Sequence, residues 1–235
     1  MSGTYSDWLL VSDIDGTLLD KKRKIPVVNK TAIDDFVKYG GKFTLCSGRN
    51  LQSLCIHYKS LDIKTPAICL NGAGIYDFNT ERVLHYSPIT EEGEKVILDI
   101  TKKYKSVQLT VFDMNTVYIY TRKCIYGFVL SLLDRLPRKF CANENALPSG
   151  EWGKATFFST PNVCKEIAKI LKNEKNKDLF DCFFTSPVSL EVVKKGVNKG
   201  SAVKILSGIL NIKTENVGAI GDYYNDEAML RSVAH

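Results

Sequence analysis

The chain has 235 residues, of which 44% are hydrophobic and 25% charged, with a formal net charge of +6. That length and apolar content suffice for one or two packed cores and exclude a disordered or low-complexity chain. No apolar run nears the roughly 20 residues that span a bilayer, and the N-terminus lacks a basic-then-apolar leader, so a soluble cytoplasmic protein with no membrane partner is expected.

The cysteines, Cys46, Cys55, Cys69, Cys124, Cys141, Cys164 and Cys182, are odd in number and have no C-x-x-C spacing. They are expected to be reduced packing residues, not a disulfide frame or a zinc site. The densest basic run, Lys21-Lys22-Arg23-Lys24, could attract anions but reads first as a solvated loop. No aromatic-rich basic face accompanies it, so nucleic-acid binding is not expected.

In chain order, Trp8-Leu9-Leu10-Val11-Ser12 is an apolar run of strand length that delivers two carboxylates, Asp13 and Asp15, into a Gly16-Thr17 break. Alternate side chains of a strand share a face, so the two acids would repel unless a cation or proton sat between them. A hard cation such as Mg²⁺ meets that demand with few protein oxygens. Taken alone, two such aspartates read equally well as a solvated turn.

Asn29 is expected to cap a helix running through residue 39, with Ile33, Phe36 and Val37 on one face and Gly40-Gly41 as the stop. A second strand at 42–46 runs into Ser47-Gly48-Arg49. This βαβ pattern predicts a parallel sheet whose carboxyl ends carry the site. There the Ser47 hydroxyl and the Gly48 amide could hold a phosphate oxygen, with Arg49 adding positive potential. A helix at 50–60 and a buried strand at 67–70 lead to Asn71-Gly72-Ala73-Gly74. Asn71 then lies on the same edge, either orienting a catalytic group or forming an ordinary Asn-Gly turn. A hairpin is expected over 74–86.

From residue 87 the texture changes. The periodicity predicts helices at 91–104, 125–136 and 163–172, and strands at 107–112, 116–121, 155–159, 180–185 and 189–193, the last leading back to the first domain. An α+β domain, residues 87–187, is thus expected inside a core made of residues 1–86 and 188–235. Inserts of this kind close over a site and exclude water, and substrate contacts are expected from 109–122 or 143–152. After the insert, Lys199 stands at the start of a helix running through residue 209, where a cation opposes the helix dipole unless an anion or carboxylate partners it. A last short strand, Val217-Gly218-Ala219-Ile220, ends in the acidic cluster Gly221-Asp222-Tyr223-Tyr224-Asn225-Asp226.

Taken together, Asp13-Ile14-Asp15-Gly16-Thr17, Ser47 with Gly48-Arg49, Lys199 in Asn198-Lys199-Gly200, and Gly221-Asp222 with Asn225-Asp226 resemble, in order, the four motifs of the haloacid dehalogenase (HAD) superfamily. Asn71-Gly72-Ala73, the long insert and the Gly-Asp-x-x-Asn-Asp ending resemble its Cof-type (subclass IIB) sugar-phosphate phosphatases. The resemblance implies an α/β fold, a Rossmann-like parallel-sheet core with an inserted α+β cap. It implies a hydrolase of small phosphorylated metabolites with Asp13 as nucleophile, an aspartyl-phosphate intermediate, and Asp15 as acid and base. Mg²⁺ would be held by Asp13, the backbone carbonyl of Asp15 and Asp222. Ser47, Lys199 and Asn225 would bind phosphoryl oxygens, and Asp226 would support the metal or Lys199.

Two alternatives stand beside this reading. One is a phosphomutase built on the same residues. The other, more distant, is a non-enzymatic phospho-acceptor module, which would lack both the second acid and the large insert. The sequence stops at Ser232-Val233-Ala234-His235, where family members usually continue with another strand and helix. It reads either as a fragment or as a short member, and in the second case a less protected sheet edge is expected beside Asp222.

Overall fold

In the computed structural model, residues 4–120 and 138–235 are described, and they divide into two units, Met1–Tyr86 with Asn198–His235, and Ser87–Val197. The helix expected at 125–136, together with Thr121 and Cys124, lies outside the described residues.

The first unit begins with β1 (Leu9–Ser12), whose Leu9 and Val11 are fully buried. A near-continuous apolar run suits a parallel strand covered on both faces. Helix α1 (Val27–Lys38) starts two residues before the expected cap. Pro26, with its fixed φ, precedes the first turn, and the Asn29 amide instead donates to the Leu18 carbonyl at 3.2 Å. Of the three residues expected to share its inner face, Ile33 is buried and Val37 is exposed. The chain then forms β2 (Lys42–Leu45) and α2 (Leu51–Ser60), the latter capped by the Asn50 side chain accepting from Ser53 N at 3.2 Å. β3 (Ala67–Cys69), β4 (Gly74–Asp77) and β5 (Arg82–Tyr86) form an antiparallel sheet, and a parallel bridge between Cys46 and Ile68 ties it to the end of β2.

The second unit contains α3 (Glu91–Lys103), β6 (Gln108–Phe112), β7 (Val117–Tyr120), β8 (Arg138–Cys141), β9 (Lys154–Phe158), α4 (Pro161–Leu171), β10 (Phe180–Ser186) and β11 (Ser189–Lys194). Its six strands run in the order β10-β11-β9-β6-β7-β8, antiparallel except for β7 and β8. Ile97 and Ile100 of α3 and Ile167 and Leu171 of α4 share one core with Leu109, Val111, Phe157, Leu190 and Val192 of the strands. Two sequence expectations differ here. β8 falls where no strand was foreseen. β11 pairs with β9 and β10, so the boundary of this unit lies at Val197 and not at residue 187.

Back in the first unit, α5 (Lys199–Ile209) leads to β12 (Val217–Ile220) and the short α6 (Glu227–Leu230). β12 pairs in parallel with β1, giving the order β12-β1-β2, with Ser12 opposite both Ile220 and Leu45. Leu9, Val11, Ile68 and Ile75 pack with Ala202, Val203 and Leu206 of α5 and Met229 of α6. Each fully buried Leu or Ile of this kind contributes about 1.5–3 kcal/mol over an exposed one. Beside β12, Ala219 N donates to the His235 carbonyl at 2.9 Å, so the last residues lie along the edge expected to be less protected. Among the described residues no cysteine is in a disulfide, and no helix is long and apolar enough to cross a membrane.

Candidate active site

The carboxyl ends of β1, β2 and β12 bring the singled-out residues together. Asp13 follows β1, its amide donates to the Ile220 carbonyl at 2.9 Å, and the residue is only 6% exposed. The chain then turns tightly over Ile14–Leu18, with Gly16 at φ +90°. A Cβ on Gly16 would stand 2.3 Å from Asp222 Oδ2, so the approach of the Asp222 carboxylate requires glycine here. Thr17 adds a contact that sequence reasoning missed: its hydroxyl donates to Asp222 Oδ1 at 2.8 Å.

Lys199 is the first residue of α5. The Asn198 side chain accepts from Ser201 N at 2.8 Å and the Ser201 hydroxyl accepts from Asn198 N at 3.1 Å, which fixes the helix start. The ammonium Nζ lies 2.5 Å from both Asp13 Oδ1 and Asp226 Oδ1. Two carboxylates thus answer the unfavourable end of the helix dipole. Burial opposes the charge on Lys199, but the acidic groups around it, Cys46, Asp13 and Asp226, outweigh burial and raise its pKa. Burial lifts the Asp13 carboxyl to about 6 against the pull of Lys199. Cys46 beside them is a buried thiol whose pKa is pushed far up by desolvation.

Both oxygens of Asp226 are engaged, Oδ1 by Lys199 and Oδ2 by the amides of Asp222 and Tyr223, each at 3.1 Å. Asp13, Asp222 and Asp226 each offer an oxygen within 4.8 Å of the others. An all-oxygen set of this kind fits a hard divalent cation and not a thiolate-seeking metal. Asp226, with its oxygens already satisfied, is the least available of the three.

Asp15 points elsewhere. Arg49 grips it with two parallel bonds, Nε to Oδ2 at 2.8 Å and Nη2 to Oδ1 at 2.7 Å, while Arg49 Nη1 donates to Ser53 Oγ at 2.8 Å. Burial acts to raise the Asp15 pKa, but the Arg49 fork, with Arg23 and His57, overcomes it and holds the carboxyl below its usual range. From the sequence Arg49 reads only as a source of positive potential, whereas the structure pairs it directly with Asp15.

On the β2 side, Ser47 is 2% exposed and its Oγ accepts from Arg49 N at 3.3 Å. The next strand end is unusual. Leu70, Asn71 and Gly72 all have left-handed backbones, at φ 52°, 57° and 102°. Two buried non-glycine residues in this region are strained, and such strain collects where a side chain must be aimed. The Asn71 amide donates to the Ser47 carbonyl at 3.0 Å, and its side-chain Oδ1 accepts from Asn225 Nδ2 at 3.3 Å. A Cβ on Gly48 would come 2.9 Å from that same Oδ1. Ser47, Gly48, Asn71 and Asn225 therefore form one polar group.

With this geometry in place, residues 10–235 match the haloacid dehalogenase-like hydrolases, and the chain belongs to that family. A provisionally named phosphatase of Buchnera aphidicola subsp. Schizaphis graminum is 29% identical over 231 residues, covering 94% of this chain and 80% of that protein. The 5-amino-6-(5-phospho-D-ribitylamino)uracil phosphatase of Bacillus subtilis is 27% identical over 229 residues, covering 95% of this chain and 80% of its own. The solved structure of a HAD subclass IIB sugar phosphatase has the same fold, with a TM-score of 0.80 at 24% identity over 97% of this chain and 85% of that one. The protein is an enzyme of the HAD phosphatase type.

Proposed function

We propose that the enzyme hydrolyses small phosphate monoesters, sugar-phosphate-like in size, through an aspartyl-phosphate formed on Asp13. The observation that carries this reading is the buried Asp13 carboxylate at the end of β1, charge-paired with Lys199. Asp13 Oδ attacks phosphorus in line as the bond to the ester oxygen breaks. Arg49 favours Asp15 as the carboxylate, so Asp15 takes a proton from solvent as that grip opens and gives it to the leaving alkoxide. It then takes one from the water that cleaves the acyl phosphate, releasing inorganic phosphate and restoring Asp13. For the first of these transfers one arm of the Arg49 fork must let go, because both Asp15 oxygens are held.

Lys199, the Ser47 hydroxyl, the Gly48 amide and Asn225 bind the transferring phosphoryl oxygens, with Asn71 positioning Asn225 and Asp226 positioning Lys199. Asp13, Asp222 and the Asp15 backbone carbonyl would hold Mg²⁺, which when bound neutralises charge between nucleophile and phosphoryl group. The second unit, Ser87–Val197, is read as the cap; its support is its insertion within the sequence of the first unit. Thiols outside any disulfide among the described residues fit a reducing, cytoplasmic location.

The test is acid quenching within the first turnover of a ³²P-labelled ester. Label bound to the protein, released by hydroxylamine and absent from Asp13→Asn, is expected. Turnover with no labelled protein, or label on another residue, would contradict the covalent route.

A further inference from the structure

We propose that Arg23 and Arg49 form a second anion subsite on the leaving-group side of the reaction centre. The preferred substrate is then a phosphate monoester whose leaving group carries a further anionic group, a carboxylate or second phosphate. This rests on the hydrolase reading above.

The basic run at 21–24 is not a loose loop. Asp20 ties it into a knot: its Oδ1 accepts from Lys22 N at 2.8 Å and Lys24 N at 2.9 Å, its amide donates to the Lys24 carbonyl at 2.9 Å, and its carbonyl accepts from Arg23 N at 2.8 Å. Within the knot Arg23 takes a left-handed backbone, φ 58°, which is uncommon for a residue with a Cβ. The result is that Arg23 Nη2 comes within 4.0 Å of Asp15 Oδ1 while its side chain stays 60% exposed. Arg49 already grips the same carboxylate.

Two guanidinium groups therefore converge on one carboxylate, and Arg23, at 4.0 Å and 60% exposed, is the less closely engaged of the two. An exposed pair at that separation adds little to stability, so folding energy does not account for a strained, clamped loop that aims Arg23 here. A ligand does. Asp15 faces the leaving oxygen in the proposed mechanism, so an anion beside it belongs to the leaving group and not to the phosphoryl oxygens held near Lys199.

The experiment compares two matched pairs in which a carboxylate replaces a hydroxymethyl group: 3-phosphoglycerate against glycerol 3-phosphate, and 6-phosphogluconate against glucitol 6-phosphate. Wild type is expected to favour the carboxylate member of at least one pair by roughly tenfold in kcat/KM, as a charge-assisted contact would give. Arg23→Ala and Arg23→Gln bring the two members of that pair close to parity through KM, whereas Lys22→Ala, the same charge change on the same loop, keeps the preference. The same pairs are titrated by calorimetry onto Asp13→Asn chains with Arg23 intact or replaced, so the preference is read even without turnover. Absence of a preference in both pairs, or one that Arg23→Ala leaves unchanged, overturns the subsite. Phosphate release without the preference sinks the subsite alone; a preference in binding without release from any ester sinks the hydrolase reading alone.

Discussion

Lys199 Nζ lies 2.5 Å from Asp13 Oδ1, and the lysine residue is 1% exposed. A buried ammonium held between Asp13 and Asp226 is both a structural support and a charge aimed at the proposed nucleophile. Removing it strands two carboxylates away from water. In the metal-free chain, Lys199→Met is expected to cost about 3–5 kcal/mol in urea unfolding. A loss within experimental error of zero would mean the three charges do not act as a unit.

Asp15 is gripped by Arg49 but is assigned the proton transfers. Asp15→Asn is expected to lower turnover of an alkyl phosphate by about 10²- to 10⁴-fold. The first turnover of p-nitrophenyl phosphate should suffer far less, because nitrophenolate leaves without a proton. Rapid-mixing measurements should then show a burst of nitrophenolate followed by a slow steady state. Equal first-turnover losses with both esters would remove Asp15 from the acid role.

The place of Gly16 against Asp222 gives a test of the metal site. A methyl group there meets the Asp222 carboxylate and sits on a left-handed backbone. Gly16→Ala is expected to weaken the Mg²⁺ dependence of activity by about 10- to 100-fold, the usual effect of disturbing a ligand's support. Magnesium titration of the two proteins measures it, and an unchanged midpoint would argue against Asp222 as a ligand.

The second unit supplies a pH prediction. Burial raises the Glu94 pKa above its usual 4.5, against hydrogen bonds from the amides of Gly150 and Trp152. The folded state therefore holds this proton more tightly than the unfolded chain does. The resulting stability is fully present below pH 4.5 and is lost as pH rises through the higher folded value. Relative to Glu94→Gln, the wild type should lose stability across that window in urea titrations at successive pH values. A difference that grows with pH would reverse the sign.

How much of this was legible in the sequence follows from which contacts are local. The parallel core could be read because β1, β2 and β12 are short apolar runs that end abruptly in polar residues. Asp13, Lys199 and Asp222 stood out because each sits where local physics disfavours it, and such conflicts mark functional positions. Contacts between distant segments carry no such mark. Thr17 reaches Asp222 across 205 residues, and Arg49 reaches Asp15 across 34. The composition of β11 reads as a return to the first unit for the same reason: its partners β9 and β10 are set by tertiary pairing and leave no mark in its own residues. β8, Arg138–Cys141, opens with two charged residues and shows no clear alternation. The left-handed Leu70 could not be foreseen, since nothing in a leucine announces that backbone.

The role proposed for Asp13 is metal-assisted attack on a phosphate monoester. The most direct measurement is inorganic phosphate release from a panel of sugar phosphates, phosphorylated acids, pyridoxal phosphate, FMN and nucleotides, with Mg²⁺ and with EDTA, by wild type and Asp13→Asn. Release that needs Mg²⁺ and disappears in the variant is the predicted result. Release that survives EDTA or the loss of the Asp13 carboxylate would contradict the account.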